Sequence, residues 1–127
     1  MVRIQPRKAY SKDYDTTVDV AQKELKDNAR PAVSTRILNM SQYDTVLVGY
    51  PIWWHTAPMT VGTFLEAFDW SGKTIYPVSQ SASMDTSQYE ESVAFIKACA
   101  KNAVVDAGIF TKSNTEIADY INDIVLK

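Results

Sequence analysis

A short apolar stretch in the middle of the chain runs directly into a loop that carries two adjacent tryptophans. Residues 45–48 (Thr-Val-Leu-Val) are mostly apolar and β-branched and show no helical period, which is typical of a strand covered on both faces. Gly49 and Pro51 interrupt this pattern, so Trp53 and Trp54 follow the carboxyl end of the strand. Ligands bind at this edge of an open α/β sheet, and large aromatic faces there suit a flat, conjugated ligand.

Predicted strands alternate with predicted helices along the whole chain. The spacing of apolar residues predicts strands over residues 45–48 and 74–78, and a third that begins at Val104 and is closed or bent at Gly108. A strand stub is also expected at residues 2–4. Helices are predicted over about residues 14–28, 60–68 and 87–101, with a fourth after Ser113. This order favours right-handed βαβ crossovers and a mainly parallel sheet covered on both faces.

Polar residues and a proline mark several of the predicted helix ends. Asp13, or the nearby Ser11, is suited to cap the first helix, and Pro31 ends it. Residues 87–90 (Ser-Gln-Tyr-Glu) and 113–116 (Ser-Asn-Thr-Glu) read as capping boxes, in which a serine and a glutamate satisfy each other's backbone N–H groups. These signals support the helix assignment independently of the apolar pattern.

Length, charge and cysteine content restrict the class of protein. The 127 residues suffice for one domain, which we take to be residues 1–127. A net charge of −2 gives no basic surface for nucleic acid or an anionic membrane, and no apolar run has membrane-spanning length. The single cysteine, Cys99, excludes an internal disulfide and fits a reducing compartment, so we expect a cytoplasmic protein. Cys99 itself is interpreted as a buried packing residue.

From Tyr14 onward the chain resembles the flavodoxin-like family, in particular the short bacterial flavodoxins with a Tyr-Pro-x-Trp-Trp loop. The matching pieces occur in the family's order, at residues 13–14, 28–31, 43–54, 57–59, 63–65 and 68–74. The resemblance implies a three-layer sandwich with a parallel sheet in the order 2-1-3-4-5 and FMN at its carboxyl edge. It also implies electron carriage or FMN-dependent oxidoreductase activity, with a redox protein or a small quinone-like acceptor as partner.

On this resemblance, two loops would contact FMN. The residues expected to line the ring follow the first strand; they are Pro51, Trp53, Trp54, His55, Thr56 and Ala57. The residues expected to face the polar edge of the ring follow the second strand; they are Ser79, Gln80, Ser81 and Ser83. His55 stands where the family usually has glycine, so its imidazole would gate the site, hydrogen-bond a ligand or obstruct it. The second loop lacks the family's glycines, which hinders close approach of its backbone. Paired tryptophans also close cores at strand ends, which is the structural alternative.

One βα unit of the family has no counterpart here. Family members begin with a strand and a Ser/Thr/Gly-rich loop whose N–H groups cradle the FMN phosphate. Residues 1–4 of this chain already correspond to the second strand, and its four glycines are scattered. The missing strand is a central one, so its neighbours would keep unpaired backbone groups. We expect another copy, a separate chain or a rearranged sheet to fill the gap, and favour an oligomer. A shortened gene product is the remaining alternative.

Two function classes therefore remain open. The first is an FMN-binding redox protein, and the second is a degenerate flavodoxin-like module without flavin that serves interaction or assembly. Loss of the phosphate cradle removes several charge-assisted hydrogen bonds, each worth about 1.5–3 kcal/mol, so this chain alone should bind FMN weakly or not at all. A single histidine leaves little basis for a metal site or a Ser/His/Asp triad.

Overall fold

The computed structural model describes residues 1–81 and 86–126. This part of the chain contains four α-helices and four strands, which alternate except that β3 and β4 follow each other directly. The helices are α1 (Tyr14–Lys26), α2 (Met59–Glu66), α3 (Thr86–Cys99) and α4 (Asn114–Tyr120), and the strands are β1 (Thr45–Pro51), β2 (Thr74–Gln80), β3 (Val104–Val105) and β4 (Ile109–Phe110). A 3-10 turn covers Met40–Gln42, and a π-helical turn, Ile121–Val125, continues α4. None of the described helices is long and apolar enough to cross a membrane.

The sheet is parallel, with β2 at its centre. β1 pairs with β2 over seven residues, from Thr45 opposite Thr74 to Pro51 opposite Gln80. On its other side β2 pairs first with β3 and then with β4. Gly108 separates these two short strands with a φ of +77°, and a Cβ there would lie 2.5 Å from the Pro77 carbonyl oxygen. The bend predicted at Gly108 is therefore confirmed, since only glycine fits that approach.

Helices lie on both faces of the sheet, as expected for a three-layer sandwich. One face carries the main core, in which side chains of β1 and β2 pack against α2 and α3; its members include Val48, Tyr50, Ile75, Phe64, Leu65 and Ile96. On the opposite face, α4 places the Tyr120 ring 6.3 Å from that of Tyr76. Residues alternate between the two faces along a strand, which explains why Ile75 is fully buried and Tyr76 only partly so.

Local signals fix both ends of α1. The Asp13 carboxylate accepts a hydrogen bond from the Thr16 backbone N–H at 3.0 Å, which confirms it as the N-cap. The helix ends two residues before the predicted limit of Asn28, because Asn28 adopts a left-handed conformation with φ +48°. Its N–H donates to Leu25 and that of Ala29 donates to Glu24, the pair of bonds that defines a Schellman motif.

Only one of the two hydrogen bonds of the capping box predicted at residues 113–116 is made. The Ser113 hydroxyl accepts a hydrogen bond from the Glu116 N–H at 3.2 Å. The Ser113 N–H, however, donates to the Thr111 hydroxyl at 3.0 Å and not to Glu116, whose carboxylate accepts from that same hydroxyl. The capping box predicted at residues 87–90 involves side chains outside the described part of the structure.

The strand stub expected at residues 2–4 was wrong. The first residues instead run antiparallel to residues 32–35, with an isolated bridge between Pro6 and Val33. The Ser34 N–H donates to the Gln5 carbonyl at 2.8 Å. A strand needs a neighbour for its backbone groups, and in the described part of the chain β1 does not extend its pairing to this segment. The backbone groups of this segment pair with those of residues 32–35 instead, as in the bond from the Arg7 N–H to the Ala32 carbonyl at 2.8 Å.

Candidate functional site

The two predicted loops begin side by side at the carboxyl edge of the sheet. Pro51 and Gln80, the last residues of β1 and β2, stand opposite each other in the register. The Ile52 N–H extends the ladder by donating to the Gln80 carbonyl at 2.8 Å. The structure thus brings together the two groups of residues that the sequence places after separate strands. Ser83, which was also predicted to bind the cofactor, lies outside the described residues.

Residues 53–56 form a tight two-residue hairpin turn. The Trp53 N–H donates to the Thr56 carbonyl at 2.8 Å, and the Thr56 N–H donates back at 3.2 Å. Trp54 and His55 both have positive φ, at +50° and +70°, as a type I′ turn requires. Glycine adopts this backbone without steric cost, whereas histidine does so at about 1–2 kcal/mol. This accounts for the glycine that is usual at the position of His55.

Both indole rings are anchored to the N-terminal part of the chain. The ring of Trp53 meets that of Tyr10 edge-to-face, with centroids 5.4 Å apart and planes at 89°. The Trp54 Nε1–H donates to the Val18 carbonyl in α1 at 3.0 Å, while 37% of the residue stays exposed. An open cleft of about 450 Å³ lies between α1 and the turn and is lined by Tyr14, Thr17, Val18, Ala21, Ile52, Trp53 and Trp54.

The predicted site residues divide into an exposed and a buried group. Pro51, Trp54, His55 and Gln80 are exposed, and Trp53 is half-buried. The side chains of Thr56, Ala57, Ser79 and Ser81 are buried. A ligand at this edge would therefore meet the exposed group first, whereas the buried group shapes the backbone beneath it.

A buried polar chain joins β1 to α3. The Ser92 hydroxyl donates to the Tyr89 carbonyl at 2.6 Å, which leaves it to accept from the Tyr50 hydroxyl at 2.8 Å. Burial raises the pKa of Tyr50, and the hydroxyls of Ser92 and Ser79 partly oppose this rise. Ser79 faces Tyr50 without completing a hydrogen bond, so its Oγ is a buried polar atom that lacks a partner among the described residues.

The start of α1, whose first turns line the cleft together with Trp53 and Trp54, is acidic. Asp13 caps α1 and Asp15 lies in its first turn, so their carboxylates already occupy the positive end of the helix dipole. Hydrogen bonds to Thr16 hold the pKa of Asp13 below its usual range. An anionic group would therefore find no favourable field at this end of α1. Among the described residues, no cluster of His, Cys, Asp and Glu side chains is arranged to hold a metal ion.

Sequence reasoning missed the residues that hold the site in place. Tyr10 gave only a weak signal, as a lone aromatic residue in a polar segment. The acceptor for Trp54 is a backbone carbonyl, which leaves no trace in the sequence. The Tyr89 ring stacks on that of Phe110 at 5.6 Å with planes 6° apart, which is a packing contact.

A parallel three-layer sandwich with an aromatic turn at its carboxyl edge defines the flavodoxin-like class of α/β proteins. The sequence matches the flavodoxin family over residues 1–124, so the chain belongs to that family. No curated protein matches the sequence.

Solved structures of flavoproteins share this fold. A protein assigned as a flavoprotein from Bacteroides eggerthii superposes with a TM-score of 0.75 at 27% identity, covering 98% of this chain and 80% of that one. A flavoprotein from Bacteroides uniformis superposes with a TM-score of 0.71 at 27% identity, covering 94% of this chain and 79% of that one. A flavoprotein from Lactobacillus acidophilus, in complex with FMN, superposes with a TM-score of 0.74 at 18% identity, covering 99% of this chain and 79% of that one.

Proposed function

We propose that this chain is a flavodoxin-like redox protein that binds FMN at the carboxyl edge of its sheet. The observation that carries the proposal is the Trp53–Thr56 turn, which presents an exposed indole beside the polar start of the loop after β2. The same fold holds FMN in the Lactobacillus acidophilus protein.

The flavin would supply the electron chemistry, and the chain would bind and orient it. Trp53, Trp54 and His55 would contact the ring, with Gln80 and Ser81 near its polar edge. A redox protein or a small quinone-like acceptor would take the electrons, in the cytoplasm. FMN binding by these 127 residues alone would be weak, because the chain has no Ser/Thr/Gly-rich phosphate loop and because Asp13 and Asp15 make the start of α1, which borders the cleft, unfavourable for phosphate.

The first experiment compares FMN with riboflavin, which has the same ring but no phosphate. Visible spectra before and after a sizing column show whether flavin travels with the protein, and quenching of flavin fluorescence gives both dissociation constants. We expect two weak constants within about a factor of three, because a single charge-assisted hydrogen bond to phosphate would separate them by tenfold or more. Tight, stoichiometric FMN on the chain alone would refute the expected weakness.

A matched pair of variants tests the ring contact. Trp54→Leu should weaken the binding of FMN and of riboflavin equally, since it removes an exposed aromatic surface beside the ring. Tyr43→Leu is the control: Tyr43 is a similarly exposed aromatic residue at the opposite end of β1 and should leave both constants unchanged. Equal effects of the two substitutions would place the flavin elsewhere.

The second candidate is a degenerate flavodoxin-like module that serves interaction or assembly without flavin. It is favoured by His55, whose side chain projects from the turn where the family usually has glycine. A folded but colourless protein that quenches neither flavin would support this candidate over the first.

A further inference from the structure

Positive charge is concentrated in two segments of this otherwise acidic chain. Residues 1–12 and 32–36 carry five Lys and Arg residues and no Asp or Glu, whereas the rest of the chain carries eight Lys and Arg against fifteen Asp and Glu. All five residues are exposed, and together they form a basic surface that consists of Arg3, Arg7, Lys8, Lys12 and Arg36. The net charge of −2 therefore conceals a local excess of positive charge.

The antiparallel pairing of the two segments brings the three arginines to one side of a ribbon. Counting outward from the bridge between Pro6 and Val33 places Arg3 opposite Arg36. Arg7 lies on the same side as Arg3, because alternate residues of an extended segment share a side. The pairing thus joins charges that are 33 positions apart in the sequence.

The other side of the ribbon is held against the protein. Ile4 and Ile37 pack against the hydrophobic core. The Thr35 hydroxyl connects the two segments, because it accepts from the Gln5 N–H at 2.6 Å and donates to the Arg3 carbonyl at 2.8 Å. These contacts fix the apolar side inward and leave the arginines toward solvent.

The cations of the basic surface are not neutralised within the described part of the chain. The ion pairs found there lie within α1 and between Arg30 and Glu66, and no member of the basic surface takes part in one. Like charges that face each other across two paired segments destabilise the pair, so Arg3 and Arg36 repel each other. A carboxylate bound between them would remove this cost, since the planar guanidinium group offers donors that fit both carboxylate oxygens.

We propose that the basic surface is a docking site for an extended acidic segment of a partner protein. Arg3 and Arg7 are four residues apart, about 13 Å in an extended chain, so carboxylates at every second or fourth position of such a segment match both. The surface also reaches the candidate site, because Lys8 and Lys12 flank Tyr10, whose ring contacts Trp53. A docked partner would therefore lie beside the tryptophan turn.

The distribution of charge favours a protein over a longer polyanion. Asp13 and Asp15 follow Lys12 directly at the start of α1, so a nucleic acid or an anionic membrane that extended past the basic surface would meet negative charge. Residues 1–8 and 32–36 contain no aromatic residue on which bases could stack. A partner with a small acidic face avoids both difficulties.

A second copy of the chain fits the basic surface less well. Its own acidic residues that line an open cleft beside α4 are Glu116, Asp119 and Asp123. Contact between that cleft and the basic surface of another copy would be head-to-tail, and such contacts continue into filaments unless the rotation closes a ring.

Fluorescence anisotropy tests the proposal on the whole chain without flavin, so its outcome is independent of the proposed function. The probe is a labelled peptide of alternating Glu and Thr, and the matched control peptide has Gln in place of every Glu. We expect the Glu peptide to bind at least about tenfold more tightly than the Gln peptide at low salt. Its binding should weaken as salt is added, because salt screens exposed charges.

Two double variants that remove the same amount of charge make the test specific. Arg3→Gln with Arg36→Gln should weaken binding of the Glu peptide by about tenfold. Lys97→Gln with Lys101→Gln, exposed positions at the end of α3 and just beyond it, should change it by less than about twofold. An unchanged far-UV circular dichroism spectrum reports that each variant is folded.

Three results would overturn the proposal. The first is an equal effect of the two double variants, or no preference for the Glu peptide over the Gln peptide. The second is binding of an oligothymidylate or of phosphatidylserine vesicles as tight as that of the Glu peptide, which would make the surface a general polyanion site. The third is self-association that the arginine variant abolishes, in favour of a second copy.

Discussion

Replacing His55 with glycine tests the left-handed turn at the centre of the candidate site. His55 has a φ of +70° and follows Trp54 at +50°, so two consecutive side-chain-bearing residues occupy a region that glycine prefers. This backbone costs a non-glycine residue about 1–2 kcal/mol, and ordering a glycine costs about 0.5–1 kcal/mol more than ordering other residues. We therefore expect His55→Gly to raise the free energy of unfolding by about 0.5–1 kcal/mol.

Gly72 supplies the calibration for that estimate. It has a φ of +77°, and a Cβ there would meet no atom within 4 Å, so Gly72→Ala adds the conformational cost without a steric clash. We expect this substitution to lower the free energy of unfolding by about 1 kcal/mol. The two changes thus measure the same backbone effect with opposite signs.

Urea unfolding, followed by tryptophan fluorescence and far-UV circular dichroism, gives both values. The midpoints should shift in opposite directions while the slopes stay constant, and the melting temperature of His55→Gly should rise by about 2–4 °C. A loss of stability in His55→Gly, with Gly72→Ala behaving as expected, would refute the reasoning. It would mean that the imidazole makes a stabilising contact that exceeds the backbone cost.

Other variants test the buried polar chain and the ion pairs. Tyr50→Phe removes the hydrogen bond to Ser92 and should lower the free energy of unfolding by about 1 kcal/mol, measured by urea denaturation. Because burial raises the Tyr50 pKa, wild-type stability should hold up to about pH 10 and fall above it, and alkaline titration of Tyr50→Phe should show a smaller fall. Arg30→Met breaks a half-buried pair with Glu66 at 2.6 Å and a contact over an aromatic ring, so it should cost about 2 kcal/mol. The exposed control, Lys23→Met, should cost less than about 0.5 kcal/mol in the same assay.

The fold followed from the sequence where local signals agree with the final packing. Asp13 caps α1 and the chain leaves the helix before Pro31, so the predicted and observed helix differ by two residues. The parallel pairing of β1 and β2 likewise follows from the alternation of strands and helices. The strand predicted at residues 2–4 does not form, because an alternating pattern shows only that a segment is able to pair. Whether a strand forms there depends on a neighbouring strand to pair with.

The site was predictable only in part, for a related reason. The adjacency of Pro51 and Gln80 is a consequence of topology, because parallel strands end at one edge. The contact of Trp53 with Tyr10 and the bond from Trp54 to Val18 join residues far apart in the chain, through an isolated aromatic ring and a carbonyl group. Neither partner carries a periodic or motif signal. The geometry that steadies the turn therefore required the structure.

The two sides of the carboxyl edge are held by different means, and this separates ring binding from phosphate binding. The turn is fixed by the bonds from Trp54 to Val18 and from Ile52 to Gln80. The start of α1 carries the carboxylates of Asp13 and Asp15, whose negative charge opposes an anionic group at that end of the helix. The contacts that would hold the flavin ring are therefore separate from the groups that decide how well a phosphate is tolerated. A comparison of FMN with riboflavin measures the second contribution alone, because the two ligands share the ring and differ in the phosphate.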